Sequence, residues 1–130
     1  MTLAPIANCM DNGTITAAGE TIRTEDIDWQ QHPTYKGVHL KHLVRGESTN
    51  GQLSCHMVKV DPGCTLELHT HAAQWELHEV IDGAGICTLD GSVIPYAPGQ
   101  VTVIPCGTPH AVTAESDGLV MLAKFFPALC

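Results

Sequence analysis

The chain has 130 residues, of which 44% are hydrophobic and 15% are charged, and this length is typical of one domain with its own core. The composition excludes a disordered or collagen-like chain, and no apolar stretch approaches the ~20 residues that a membrane-spanning helix needs. Fourteen acidic residues against six basic ones give a net charge of −8, which disfavours binding to nucleic acid or to an anionic membrane surface.

The first quarter of the chain is weakly patterned. Residues 1 to about 34 contain glycines and an acidic stretch, and they predict an irregular arm or an edge strand with at most one helical turn. The N-terminal residues lack the charged start and apolar run of a secretory signal, so we expect a cytoplasmic protein. In that compartment free thiols are favoured over disulfides for the six cysteines, which are Cys9, Cys55, Cys64, Cys87, Cys106 and Cys130.

From about residue 35 onward the sequence consists of short β-rich runs separated by turn-forming residues at intervals of roughly 8–12 residues. Asp82-Gly83, Asp90-Gly91 and the segment 116–118 are among the expected turns between strands. No window keeps a helical period, so we predict a single all-β domain (1–130) whose barrel, closed or nearly closed, spans about 35–126. The predicted runs are 38–45, 52–60, 64–71, 75–81, 84–89, 92–96, 100–105, 110–114 and 119–126.

Three histidines and a glutamate carry the chemistry. In a strand, side chains two residues apart point to the same face, so His69 and His71 project together. After a tight turn, Glu76 returns to that face in the neighbouring strand, and His110 begins a later strand after the sequence PCGTPH. Imidazole and carboxylate ligands predict one divalent transition metal ion per chain, such as Fe, Mn, Ni or Zn. An octahedral ion would keep two open positions for catalysis, whereas a four-coordinate zinc would be closed.

Two segments resemble the motifs of a known family. Residues 63–83, GCTLELHTHAAQWELHEVIDG, resemble the first cupin motif, and residues 99–110, GQVTVIPCGTPH, resemble the second. Ala114 stands where the second motif often ends in an Asn that is not a metal ligand. The resemblance implies a double-stranded β-helix, or jelly-roll barrel, with a metal ion bound by His69, His71, Glu76 and His110.

The resemblance also bears on function. Compact microbial single-domain cupins are commonly homodimers, and we expect the same here. The implied activity is that of a metal-dependent enzyme acting on a small polar molecule, a carboxylate or a sugar-acid-like compound, as an isomerase, a lyase or a dioxygenase. The alternative is a non-enzymatic module that binds a metal or senses a small ligand.

His78 shares the parity of Glu76 and is expected to point inward. It is a candidate general acid or base beside the metal, because imidazole titrates near neutral pH. The alternative is a packed histidine that fixes a neighbouring side chain.

Further residues are candidates for the pocket wall, each with a plainer alternative as core or surface. His39 and His42 lie on early strands, where a surface position is favoured, and Lys41, Lys59 and Lys124 are candidate charges at the rim. The candidates for lining the pocket are Cys106, Tyr96, His56 and Trp75.

Overall fold

The structure is a computed structural model and describes residues 2–130. One short helix and ten strands follow one another along the chain, with single 3₁₀ turns at Thr24–Asp26 and Gly46–Ser48. The elements are α1 Pro5–Asp11, β1 Thr14–Ala17, β2 Glu20–Arg23, β3 Gln30–Gln31, β4 Val38–Val44, β5 Ser54–Val60, β6 Thr65–His69, β7 Trp75–Leu89, β8 Ser92–Tyr96, β9 Val101–Ile104 and β10 His110–Phe126.

Eight of the strands form one antiparallel sheet. Its main path is β3-β4-β5-β10-β7-β8, with β6 paired to β10 and β9 paired to β7, while β1 and β2 form a separate hairpin. β10 pairs with β5 through its second half and with β6 through its first half. The all-β prediction is therefore confirmed, and most predicted runs coincide with a strand to within two residues.

The two longest strands differ from the sequence prediction. Turns were expected at Asp82-Gly83 and at 116–118, but β7 and β10 each continue through those positions. The pairing of β7 with β10 instead shifts register between Ala114 and Leu119. Gly83 has a φ of +75°, and a Cβ there would overlap the carbonyl oxygen of Gly118. The glycine therefore allows two backbones to approach each other closely where the pairing of the strands is irregular. A glycine within a strand commonly marks such a place rather than a turn.

The core has two parts, one on each side of the sheet. The interior part includes Val60, Tyr96 and Met121, whereas the outer part packs Ala7 of α1 against Val120 and neighbouring residues of the sheet. Because β10 is covered on both faces where it passes between these parts, its sequence from residue 119 to 123 is continuously apolar rather than alternating.

The N-terminal arm packs against the outside of the barrel and contains more regular structure than predicted. α1 begins with Pro5, whose fixed φ suits the first helical position. Lys41 was expected as a rim charge but is 2% exposed. Its Nζ lies 2.5 Å from Asp11 Oδ1 and donates to the carbonyl oxygen of Thr24 at 2.9 Å. The lysine therefore joins the arm to β4.

Within residues 2–130, no helix has the length and apolar character needed to cross a membrane.

Candidate metal centre

The four residues singled out from the sequence lie together. His69 ends β6, His71 follows in the next loop, Glu76 is the second residue of β7 and His110 is the first of β10. The pairing of β6 with β10 places His110 opposite His69. Each residue offers one ligand atom, and these atoms all lie within 4.8 Å of one another. Glu76 Oε1 is 3.0 Å from Nε2 of His110 and 3.6 Å from Nε2 of His71.

Backbone carbonyls orient two of the imidazoles. Nδ1 of His69 lies 2.7 Å from the carbonyl oxygen of Glu67, and Nδ1 of His110 lies 2.9 Å from that of Thr108. Since a carbonyl only accepts hydrogen bonds, each Nδ1 must carry the proton, which leaves each Nε2 with a free lone pair. Fixing the ring through its other nitrogen is the usual support of a metal-binding histidine.

The loop before β10 is tied to the first motif. Gly107 has a φ of +77° and donates its backbone N–H to the carbonyl oxygen of His71 at 2.9 Å. Glycine adopts this left-handed conformation without the cost that a side chain brings. The turn therefore sets the positions of His71 and His110 together.

Two buried polar atoms face the centre of this cluster without a hydrogen bond. They are Glu76 Oε1 and His110 Nε2, which are close together but not aligned as donor and acceptor. Leaving such an atom unsatisfied costs about 1–3 kcal/mol. A cation held between them would satisfy both, and three imidazole nitrogens with one carboxylate oxygen form a donor set suited to a divalent transition metal. The residues present therefore fit a metal ion.

The charges of the cluster are strongly coupled. Burial by itself would raise the pKa of Glu76, but the close approach of His110 and His78 lowers that pKa well below its usual range. Burial lowers the pKa values of His69 and His71. Burial also acts to lower the pKa of His110, but the Glu76 carboxylate and the Thr108 carbonyl together raise it. The site thus holds an ionised carboxylate among histidines, as a cation site requires.

His78 lies behind Glu76 and is fully buried. Its Nε2 is 2.8 Å from Glu76 Oε2, and its Nδ1 is 2.8 Å from the hydroxyl of Tyr96. A carboxylate accepts only, so Nε2–H donates to Glu76 and Nδ1 accepts from the tyrosine. Both nitrogens of His78 are thereby occupied by protein partners.

The cluster opens on one side into a cavity of about 80 Å³, several times the space that one water molecule requires. His69, His71 and Glu76 form part of its wall, and most of the remaining wall is apolar. No lysine or arginine lines the cavity in the part of the chain that the structure describes. The other lining residues are His32, Leu40, His42, His56, Val58, Leu66, Met121, Ala123, Phe125 and Leu129.

Comparison with known proteins identifies the family. The model of the cupin domain matches residues 56–125, a segment that contains all four clustered residues and more than half of the chain. The chain belongs to the cupin family. The resemblance of the two motifs is thereby confirmed.

Individual relatives are distant. The oxalate-binding protein of Thermotoga maritima is 24% identical over 106 residues, which cover 76% of this cupin and 88% of the relative. The structure of KdgF from a Halomonas species is similar with a TM-score of 0.70 and 25% identity, covering 79% of this chain and 88% of that one. A predicted oxalate decarboxylase from Thermotoga maritima has a TM-score of 0.72 and 24% identity, covering 82% and 97%. Most of this cupin's length is therefore shared with small proteins of the same fold.

The candidates for the pocket wall are distributed over different environments. His56 lines the cavity, whereas Tyr96 is buried behind His78. Trp75 is half exposed on the outside of the barrel. Cys106 is exposed too, and its Sγ–H donates to the carbonyl oxygen of Ala72. Trp75, Tyr96 and Cys106 thus lie outside the residues that line this cavity.

Two further histidines, His32 and His42, belong to the cavity wall although the sequence did not indicate it. A surface position was favoured for His42, but it lines the cavity, as does His32. His42 lies opposite His56 in the pairing of β4 with β5. Matching parity of two histidines on adjacent predicted strands was the available signal. It could not be used without the register, which includes a shift between His42 and Val44.

Proposed function

We propose that this cupin binds one divalent transition metal ion, such as Fe, Mn, Ni or Zn, through His69, His71, Glu76 and His110, and acts on a small carboxylate. The observation that carries the proposal is the convergence of four ligand atoms beside a cavity that three of the four residues line. A buried, closed cluster would favour a purely structural metal, whereas this one faces a space into which a small molecule fits.

The composition of the site favours open coordination. Three neutral imidazoles and one carboxylate leave a divalent ion with a charge of +1, and an octahedral ion would retain two positions for other ligands. His69, His71 and Glu76 all border the cavity, so these positions would face it. The bound ion would supply a Lewis acid that polarises a carbonyl or carboxylate oxygen, or an oxygen-activating centre if it is iron.

The wall of the cavity limits the class of ligand. Its small volume suits a molecule of few heavy atoms, and its apolar side chains exclude bulk water from most of the surface. Because the described lining has no cationic side chain, an anion would be held mainly by the metal. The similarity to an oxalate-binding protein supports a carboxylate as the ligand. The two remaining positions of an octahedral ion favour a carboxylate that can occupy both.

The reaction class is that of a metal-dependent isomerase, lyase or dioxygenase. Among the described residues, His32 is the titratable group that lines the cavity beyond the ligand set and the paired His42 and His56, and it is available to accept or return a proton. His78 would act on Glu76 by holding one carboxylate oxygen, so that the other points to the cluster.

The second candidate is a non-enzymatic module that binds a small carboxylate. Two observations favour it: the name of the oxalate-binding relative and the engagement of both nitrogens of His78 by other side chains. The latter removes the best-placed candidate for a catalytic acid or base. Binding and turnover therefore have to be measured separately.

Binding is tested by calorimetry with metal-free protein and protein loaded with Mn²⁺, Fe²⁺, Co²⁺, Ni²⁺ or Zn²⁺. Oxalate is expected to bind only to a loaded form. His110→Ala should lose the ion bound by this cluster and with it oxalate binding, whereas His39→Ala, which removes a histidine paired with Asp61 away from the cavity, should retain both. Metal-dependent binding of oxalate to His110→Ala at wild-type affinity would refute the assigned site.

Turnover is tested by nuclear magnetic resonance of ¹³C-labelled oxalate, small 2-keto acids and sugar acids incubated with the loaded protein. Conversion that disappears in His110→Ala supports the enzyme. Tight binding with every compound unchanged supports the binding module.

We further propose that the protein is a homodimer. Trp75, Val101, Val103 and Phe126 are large apolar side chains left about half exposed on the outside, and Trp75 lies opposite Phe126 in the ladder. Such a patch favours contact with a second copy. Light scattering should give twice the mass of 13.9 kDa, and Val103→Glu should shift it toward the monomer. A cytoplasmic location remains a prediction, consistent with six unpaired cysteines.

A further inference from the structure

A second group of potential ligands includes two histidines that also line the cavity. His42 of β4 and His56 of β5 are paired across the sheet, and their Nδ1 atoms are 2.7 Å apart. Sγ of Cys130 lies 4.0 Å from Nδ1 of His42. One ligand atom from each of the three residues lies within 4.8 Å of the others.

We propose that His42, His56 and Cys130 form a second metal site that takes Zn²⁺. Two imidazoles and a thiolate are a donor set that zinc accepts, with a fourth position left for water or another ligand. This site is separate from the cluster around Glu76 and does not depend on the function proposed above.

Hydrogen bonds hold Cys130 in place. Its carbonyl oxygen accepts from the N–H of Gly46 at 2.6 Å, and the N–H of Ala128 donates to the carbonyl oxygen of Gly51 at 3.0 Å. Between them, the N–H of Leu129 donates to Oγ of Ser54 at 2.8 Å. The backbone that carries the thiol is therefore fixed against β5 and the turn before it, which keeps Cys130 beside His42.

The second nitrogen of His56 has the partner that a ligand histidine needs. Nε2 lies 2.9 Å from Oγ of Ser54, and donation of Nε2–H to this hydroxyl leaves the lone pair on Nδ1, toward His42. Without a metal, a proton must sit between the two Nδ1 atoms to account for their 2.7 Å separation. A cation would take the place of that proton, and an outer partner such as Ser54 fixes the ring for it.

The charges around the pair favour neutral ligands. Burial, with the charges of His42 and Arg45, lowers the pKa of His56 to about 4, and burial and Arg45 lower the pKa of His42. Neutral imidazoles need not lose a proton to bind a metal. Arg45 also repels a cation, and the negative charge of the Cys130 thiolate would offset that repulsion.

The distances require only small movements. A tetrahedral zinc with bonds of about 2.0–2.1 Å to nitrogen and about 2.3 Å to sulfur separates two nitrogens by about 3.3 Å and nitrogen from sulfur by about 3.5 Å. The Nδ1 atoms must therefore move apart by roughly half an ångström, and Sγ must approach His42 by a similar amount. The distance from Sγ to His56 is at most 4.8 Å, so the sulfur must approach that ring by no more than about 1.3 Å. His42 is half-buried and Cys130 exposed, so both side chains have room to adjust.

The aromatic ring of Phe125 packs against a histidine of each group of ligands. Its centroid is 5.6 Å from that of His56 and 5.0 Å from that of His71. Among the described residues, the ligand atoms that lie within 4.8 Å of one another fall into these two separate groups. Two ions per chain are the expected stoichiometry.

The test uses Co²⁺ as a spectroscopic substitute for Zn²⁺ in the full-length, metal-free protein under reducing conditions. A thiolate bound to Co²⁺ gives a charge-transfer band in the near ultraviolet, to which the sulfur-free cluster around Glu76 cannot contribute. The wild type should show the band, and in His110→Ala, which lacks the cluster around Glu76, it should saturate at one Co²⁺ per chain. Cys130→Ser should abolish it, whereas the matched control Cys106→Ser, another exposed cysteine, should leave it unchanged.

Zinc stoichiometry after removal of free metal provides the second measurement. Two Zn²⁺ per wild-type chain, and one in each of Cys130→Ser and His110→Ala, would support the proposal. Circular dichroism confirms that each variant is folded. The proposal is overturned if the folded wild type gives no sulfur band, if the band survives in Cys130→Ser, or if it saturates at one Co²⁺ per two chains, which would indicate a site shared between molecules.

Discussion

His78→Phe provides the sharpest test of how the metal cluster is supported. The imidazole connects Glu76 Oε2 to the hydroxyl of Tyr96, and phenylalanine keeps an aromatic ring there without either hydrogen bond. Both partners are buried, at 4% and 1% exposed. We expect the carboxylate to lose its fixed orientation while the fold is retained.

The size of the effect follows from the contacts. Outer partners of metal ligands are worth about 10–100-fold in metal affinity, which corresponds to about 1.4–2.7 kcal/mol. Two buried polar atoms also lose their partner, at about 1–3 kcal/mol each, so the metal-free variant should unfold at a lower urea concentration. Tyr96→Phe is the matched control, because it removes only the hydroxyl beyond His78. We expect it to weaken metal binding by less than tenfold.

Affinity is measured by competition with a chromophoric chelator, in a Cys130→Ser background so that only the cluster around Glu76 binds. A 10–100-fold weaker affinity for His78→Phe supports a positioning role. Unchanged affinity with collapsed turnover would refute this reasoning and restore the alternative in which His78 acts as a general acid or base.

Three further variants test other parts of the structure. Gly83→Ala should lower the free energy of unfolding by about 3 kcal/mol, because the new Cβ overlaps the neighbouring backbone and the residue has a positive φ. Gly91→Ala is the control, since Gly91 has a φ of +82° but lies in open space, and it should cost about 1 kcal/mol. Equal losses in urea denaturation would contradict the close approach at Gly83. Lys41→Met should lower the free energy of unfolding, measured in urea, by about 2 kcal/mol. This is less than removing one partner of a fully buried ion pair costs, because Asp11 is partly exposed. An unchanged free energy of unfolding would argue against the packing of the N-terminal arm on β4. Burial lowers the pKa of His56 to about 4, so His56 stays neutral in the folded state until the pH approaches that value. The free energy of unfolding of the metal-free protein should therefore fall by up to about 3 kcal/mol as the pH falls from 6.5 to 4. His56→Gln should weaken this pH dependence, and an unchanged dependence would contradict the reasoning.

Much of the cluster around Glu76 could be predicted because its information is local. His69 and His71 are two residues apart, and their ring centroids lie 5.0 Å from each other. The short connection keeps Glu76 near them, but the expected hairpin was wrong, because β6 ends at His69 and pairs with β10 rather than with β7. The position of His110 followed from a second motif with fixed spacing. The structure brings these four residues together, while their binding of a metal remains the proposal to be tested.

Other features depend on pairings that a single sequence does not reveal. Asp82-Gly83 has the composition of a turn, but its glycine is required where another strand passes, a contact between residues far apart in the chain. The burial of Lys41 depends on Asp11 in an arm with little pattern of its own. The proximity of His42 and His56 similarly required the cross-strand register.

Because of the path of β7 and β10, the cluster around Glu76 can bind an ion only when the barrel is closed. Glu76 pairs with Phe125 at one end of their ladder, and His110 pairs with Leu89 at the other, which in a flat sheet would separate them by about 50 Å. Their side chains nevertheless lie 3.0 Å apart, so the ladder must curl back on itself before the cluster exists. An ion bound there acts by mass action on the closed form alone and, at a hundred times its dissociation constant, stabilises the native chain by about 2.7 kcal/mol.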